Sequence, residues 1–288
     1  MDWGAYYPST GTSTATGTST PTATSISAQL TVLDVECGFG GLTLALARQF
    51  GDDERVLGME ILNKVTEYVR LRIVALWTKA RNNTTTPTTT VPATTPVPTV
   101  AEKQNHCLYS NVSVMRINAM EYLPNYFVPH SIAKIFIYFP DLHFKRKNSP
   151  QRIISLRLLT KYAHVLHKSG HNEVGKKTGN TGGRLYAITD VEELHKWHSE
   201  KCNFHPLFRK CTKNEKSNDP CMELMKNSTE EVKKVEREGR NKYWAVYQQL
   251  SDVKVLEKER AGSVCVSDFF KEGQFGVNLV SIWWKQWC

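Results

Sequence analysis

Leu30-Thr31-Val32-Leu33-Asp34-Val35-Glu36-Cys37-Gly38-Phe39-Gly40-Gly41 is the stretch that decides the fold. Its first six residues are mostly apolar, hold no turn former, and predict a strand. Three glycines among the next six predict a turn whose backbone can run close to a ligand. Residues 42–50 (LTLALARQF) then predict a helix. Strand, glycine-rich turn and helix, in that order, make the unit that brings main chain against a nucleotide-type cofactor. Asp34 is expected to reach into the crevice beyond the strand. Residues 55–60 (RVLGME) predict a second strand, ending in Glu60. A carboxylate there can accept hydrogen bonds from ribose hydroxyls.

The alternation of strand and helix continues outward. Residues 65–77 predict a helix with Val65, Val69, Ile73 and Leu76 on one face. Residues 112–117 predict a third strand that ends at Asn118-Ala119. An amide at that point either reads an adenine edge or caps the short helix expected over 120–126. Residues 132–139 predict a fourth, buried strand, broken at Pro140, which has no N–H to give to a sheet. Asp141, His143, Lys145, Arg146 and Lys147 follow the break. Ligands of open α/β sheets sit just past the carboxyl ends of strands. Asp141 is therefore expected where a substrate lies, with cations beside it that suit phosphate. A helix over 153–166 is expected to extend a phosphate track through Arg152, Arg157, Lys161 and His164. A fifth strand over 184–189, helices over 191–200 and 229–237, and a last strand over 243–250 complete the pattern. Ser228-Thr229 fits the N-cap of the 229–237 helix.

Composition bounds the rest. Residues 9–28 and 78–105 are rich in Thr and are expected to be a disordered linker and a disordered insertion. Pro87, Pro92, Pro96 and Pro98 are expected to rule out a helix in 78–101. Residues 168–183 are expected to form a flexible loop. One domain over 29–250 remains, flanked by a possible docking segment at 1–8, with three aromatics in MDWGAYYP, and by an extension at 251–288 of unassigned role. The net charge of +9 and a pI near 9.1 point to a polyanionic partner, nucleic acid first. The seven cysteines form no C-x-x-C pair, which points to a reducing compartment and away from disulfides or zinc. No metal-ligand set is visible. The N-terminus is no signal peptide, and no apolar run is long enough to span a bilayer, so no membrane partner is expected. Three N-x-S/T triplets, among them Asn111-Val112-Ser113, carry no weight without secretion.

These features describe a Rossmann-like domain without separating nicotinamide enzymes from S-adenosylmethionine enzymes. The words of the sequence do separate them. The segments MDWGAYYP (1–8), LDVECGFGG (33–41), LGMEI (57–61), KVTEYVRLRI (64–73), NAMEYLPNYF (118–127), FPDLHFKR (139–146), RIIS (152–155), ITDVEELHKW (188–197), HPLF (205–208) and STEEVKKV (228–235) occur in one order. In that order they resemble the tRNA (guanine-N7-)-methyltransferases, specifically the catalytic subunit of the eukaryotic enzyme. The match at residues 1–8 implies that Met1 falls inside the family sequence.

The resemblance implies an α/β fold: a Rossmann-like class I methyltransferase sheet with helices on both faces, interrupted by the Thr-rich insertions. It implies S-adenosylmethionine as cofactor, lying over the turn at 36–41. The implied cofactor contacts are Glu36, Gly38, Gly40, Glu60, Ile61, Asn118, Ala119, Tyr138, Thr229 and Glu231. Asp141 is implied as the catalytic acid. His143, Lys145, Arg146, Lys147 and Arg152 would hold RNA. The implied target is guanosine 46 of the tRNA variable loop, the implied partner a non-catalytic WD-repeat subunit, and the implied address the nucleus. Three positions depart from the family. Glu36 stands for the first glycine of the cofactor turn, where a side chain meets positive φ and its charge opposes the methionine carboxylate. Leu62 stands for an arginine, and Leu142 for the proline after Asp141. A homologue that binds RNA or its partner without catalysis is the second reading; a Rossmann dehydrogenase is a third, which the words after the fourth strand oppose.

Overall fold

A computed structural model describes residues 7, 30–51, 54–84, 108–141, 151–169, 182–227 and 230–251. The Thr-rich tract at 9–28, residues 85–105, most of the 168–183 loop and residues 252–288 lie outside the described residues. Seven strands form one sheet: β1 (Leu30–Val35), β2 (Arg55–Glu60), β3 (Val112–Arg116), β4 (Lys134–Tyr138), β5 (Arg184–Thr189), β6 (Phe208–Lys210) and β7 (Tyr243–Gln249). Their order is β3-β2-β1-β4-β5-β7-β6. The first five are parallel, and β7 runs antiparallel between β5 and β6. The strand order reverses between β1 and β4, which makes that junction the switch point where α/β sheets take ligands.

Strand side chains alternate between the two faces, and both faces are apolar. Leu33, Val35, Ile135, Ile137, Leu185 and Tyr247 belong to one core. Helices α3 (Ala119–Tyr126), α4 (Leu156–Val165) and α5 (Glu192–Phe204) cover it. Val32, Val56, Phe136, Tyr186 and Val246 belong to the other core. Helices α1 (Gly41–Phe50), α2 (Asn63–Thr84), α7 (Pro220–Asn227) and α8 (Glu230–Arg237) cover that face. A short α6 (Lys213–Ser217) precedes α7. The expected doubly covered Rossmann-like sheet is the observed one.

The elements differ from expectation in instructive places. β1, β2 and β5 have the expected bounds. α2 overruns the expected end at 77 and continues to Thr84. Proline blocks a helix only from its own position and the residue before it, and the first proline comes at 87. α4 begins at Leu156 rather than 153, where the Ser155 hydroxyl accepts the Leu158 N–H. β6, α6 and α7 are additions. A three-residue strand carries no periodic signal, since pairing to β7 creates it. The two helices did leave signals. Thr212 and Glu215 form a capping box, and Pro220 opens α7 at the position proline favours.

Two contacts fasten the periphery. Tyr7 is buried, donates its hydroxyl to the Val56 carbonyl at 3.3 Å, and lies under the Arg55 guanidinium. Asn111, from the first N-x-S triplet of the domain edge, is buried too. Its amide donates to the carbonyls of Ala47, Gly51 and Glu54, which closes the end of α1 against the entry to β3. Asn111→Ala removes the side-chain donor from the Gly51 and Glu54 carbonyls, while Ala47 keeps the Gly51 N–H, and is expected to cost about 2–3 kcal/mol. For a domain of this size that lowers the midpoint by roughly 5–10 °C, measurable by thermal unfolding followed by circular dichroism.

Candidate active site

The carboxyl ends of β1, β2 and β4 carry the expected acids, and the backbone there departs from regular strand. Glu36, directly after β1, has φ +59°, and Phe139, directly after β4, has φ +47°. Neither is glycine, so each stores strain of about 1–3 kcal/mol. Non-glycine outliers gather at functional sites. Gly38 and Gly40 follow at φ +52° and +75°. At Gly38 a Cβ would meet nothing within 4 Å, so the space over the turn is open. At Gly40 it would lie 2.7 Å from the Val69 side chain, which shows how tightly the turn seats on α2. Arg72 on α2 donates to the Phe39 carbonyl at 3.1 Å and holds the tip of the turn.

Glu60 is the centre of this turn. Its Oε1 accepts the N–H groups of Ile61 (2.8 Å) and Leu62 (2.9 Å), and its Oε2 accepts the Gly38 N–H (3.1 Å). Three backbone donors leave one lone pair on Oε2 for a further hydrogen bond. The side chains of Ile61 and Leu62 are themselves exposed.

Asp34 does not reach into the crevice as expected. It is fully buried beneath the turn, and the Thr43 hydroxyl donates to its Oδ2 at 2.6 Å. Its Oδ1 has no partner among the described residues. Burial pushes the Asp34 carboxyl up to about 7 against the pull of the Thr43 bonds, and the charge of Glu60 adds to the rise. Its position inside a strand decided this: Asp34 shares the α1-covered face with Val32, so its side chain points into a core.

Glu36 is carried to the other side of the switch point. It faces Asp141 across the β1/β4 junction, near enough for the Asp141 charge and backbone N–H to act on its ionisation. Burial raises its carboxyl to about 7, with the charges of Asp141 and Glu60 contributing. The positive φ expected at this position is present. Asp141 itself is exposed. Tyr138, the last residue of β4, is buried and donates its hydroxyl to the Met225 carbonyl at 3.0 Å, joining the site to the end of α7.

The other expected residues divide. Asn118 follows β3 and caps α3, its Oδ1 accepting the Met120 N–H at 3.1 Å, while Ala119 is buried at the start of that helix. Arg152 lies over the Trp197 ring of α5, 4.5 Å from its centroid. The phosphate track along α4 is not continuous. Lys161 is buried and donates to the carbonyls of Met120 and Glu121 on α3. His143, Lys145, Arg146, Lys147 and Thr229 lie outside the described residues, and of Glu231 only the backbone, in α8, is described. Sequence reasoning missed Thr43, which sits one turn inside α1, and Phe139, whose place before Pro140 was the available signal. Among the described residues no group of three or more His, Cys, Asp or Glu is placed to hold a metal, and no helix is long and apolar enough to cross a membrane.

Comparison with known proteins places this geometry. A family model described as "Putative methyltransferase" matches residues 28–245. The tRNA (guanine-N(7)-)-methyltransferase of Schizosaccharomyces pombe is 37% identical over 254 residues, covering 88% of this chain and 77% of its own. Its namesake from Botryotinia fuckeliana is 38% identical over 261 residues, covering 88% and 79%. The one from Arabidopsis thaliana is 40% identical over 220 residues, covering 76% and 72%. With a matched domain and relatives this similar over most of both chains, the chain belongs to the tRNA (guanine-N(7)-)-methyltransferase family.

Proposed function

We propose that the protein methylates N7 of a guanosine in tRNA, guanosine 46 of the variable loop, with S-adenosylmethionine as donor. The observation that carries the reading is the meeting, at the β1/β4 switch point, of a glycine turn latched to Glu60 and the exposed carboxylate of Asp141. The turn fits such a cofactor: Gly38 leaves open space over the backbone, and Glu60 keeps one acceptor position for a ribose hydroxyl. Gly38, Gly40 and Glu60 would hold the cofactor, with Asn118 and Ala119 beside the adenine, and Thr229 and Glu231 as later contacts. When bound, it supplies an electrophilic methyl group on a sulfonium.

Guanine N7 already carries a lone pair, so no residue must remove a proton to create the nucleophile. The protein's work is orientation, which holds N7 in line with the methyl group. As N7 is methylated the guanine ring gains positive charge. The Asp141 carboxylate stabilises that charge and accepts hydrogen bonds from the guanine edge. The strained Phe139-Pro140 corner fixes where Asp141 leaves the sheet. Exposing N7 requires drawing the base out of its tertiary contacts in tRNA. His143, Lys145, Arg146, Lys147 and Arg152 would hold the backbone while this happens. A WD-repeat subunit as partner and a nuclear site of action belong to the same reading.

The test is methyl transfer from labelled S-adenosylmethionine to a tRNA transcript with a guanosine in its variable loop, with nuclease digestion and mass spectrometry of the product. N7-methylguanosine at that position is expected. Cofactor and tRNA binding with no methylated base would overturn it in favour of a binding homologue without catalysis.

A further inference from the structure

β7 is antiparallel, so its first residues lie at the edge where the parallel strands end. Tyr243 pairs with Thr189, and Trp244 with Ile188. Trp244 thus sits on the active-site edge, two strands beyond β4, a lateral distance of roughly 10 Å. Two lysines from different helices converge on its indole. The Lys226 ammonium of α7 lies 4.7 Å from the ring centroid, and that of Lys216 of α6 lies 5.2 Å away.

Two like charges on one ring repel each other, and each would ordinarily sit beside a carboxylate. The nearby carboxylates are engaged elsewhere. Glu215 pairs with Arg209 and accepts the Thr212 N–H. Asp219 is buried against Arg184 and Tyr186. Glu236 pairs with Lys242. Glu223, one turn before Lys226, makes no ion pair with it, and neither Lys216 nor Lys226 has a carboxylate within 4 Å among the described residues. A ring can hold a cation by its quadrupole, though more weakly than an anion would. The arrangement gathers two ammonium groups, without a carboxylate partner among the described residues, at one point on the edge of a protein with net charge +9.

We propose that Lys216 and Lys226, held over Trp244, form a clamp for the phosphate backbone of the tRNA substrate, beside the catalytic edge. The clamp rests on the proposed tRNA methyl transfer and adds to it a second anchoring point. The link to the reaction site is short. Tyr138, at the end of β4, donates to the carbonyl of Met225, the residue before Lys226.

The experiment compares the full chain with Lys216→Ser/Lys226→Ser and with Trp244→Leu. Binding of a fluorescent tRNA transcript is measured by anisotropy across a salt series, and S-adenosylmethionine binding by calorimetry. The double variant is expected to bind tRNA at least tenfold more weakly at low salt. Its plot of log affinity against log salt should be shallower by about 1.5, the loss of two phosphate contacts. Cofactor affinity should not move. Trp244→Leu should weaken tRNA binding at least threefold, because the lysines lose the ring that gathers them. Equal affinity and slope in the double variant, with a wild-type chain that binds and methylates tRNA, would overturn the clamp alone. A wild-type chain that binds no tRNA would overturn the clamp and the proposed function together.

Discussion

Asp141→Asn is expected to lower the rate of methyl transfer to tRNA by about 100-fold or more, with little change in stability and less than threefold change in cofactor affinity. Removing one preorganised group that faces developing charge typically costs a factor of 10²–10³. Asparagine keeps the size and the backbone of the aspartate, so the N–H that faces Glu36 stays in place. It cannot supply the negative charge that offsets a cationic purine. Single-turnover kinetics with saturating tRNA and S-adenosylmethionine measure the effect directly. Because Asp141 is exposed and outside both cores, the variant should unfold at the wild-type temperature. A variant that keeps more than a tenth of the wild-type rate would remove Asp141 from the chemistry.

The fold of this chain was largely legible because its signals are local. Short strand-forming runs gave β1, β2 and β5 their bounds to the residue, and the glycine turn announced the parallel order. Long-range consequences were not legible. Whether Asp34 faces a crevice or a core depends on which face α1 covers, and no spacing within residues 30–41 tells that. Glu36 and Asp141 lie far apart in sequence and become neighbours only through the β1–β4 pairing. Lys161 has the spacing of a phosphate ligand on α4, yet α3 packs against that helix and takes its ammonium. The convergence of Lys216 and Lys226 on Trp244 required α6 and α7, neither of which has enough apolar periodicity to be read in advance.

The second large effect concerns Glu36. In the wild-type chain its carboxyl titrates near 7, raised first by burial and then by Asp141 and Glu60. Above that pH a half-buried negative charge stands in the turn proposed to receive the methionine carboxylate of the cofactor. Affinity for S-adenosylmethionine is therefore expected to rise as pH falls from 8 to 6, by roughly tenfold, the equivalent of about 1.4 kcal/mol. Glu36→Gln removes the ionisation and should bind at pH 8 as tightly as the wild type does at pH 6, with a flat profile. Glu36→Gly should bind tighter still, because glycine adopts a φ near +59° without the strain a side chain carries there. The same ionisation acts on stability. A carboxyl whose folded value lies above its unfolded value stabilises the fold below the unfolded value, and that contribution is lost as pH rises through the folded one. Glu36 and Asp34 both follow this sign, since both are raised to about 7. The wild-type fold should consequently lose stability as pH rises from about 4 to 7, with on the order of 1 kcal/mol per group still to be lost between pH 6 and pH 8, and its melting temperature should fall accordingly. Glu36→Gln should recover its own share at pH 8 and change little at pH 5. Calorimetric titrations and thermal melts over this range read both effects on one set of samples. A wild-type cofactor affinity that is level from pH 6 to pH 8 would mean that Glu36 has turned away from the ligand, and its positive φ would then bear on the fold of the turn alone.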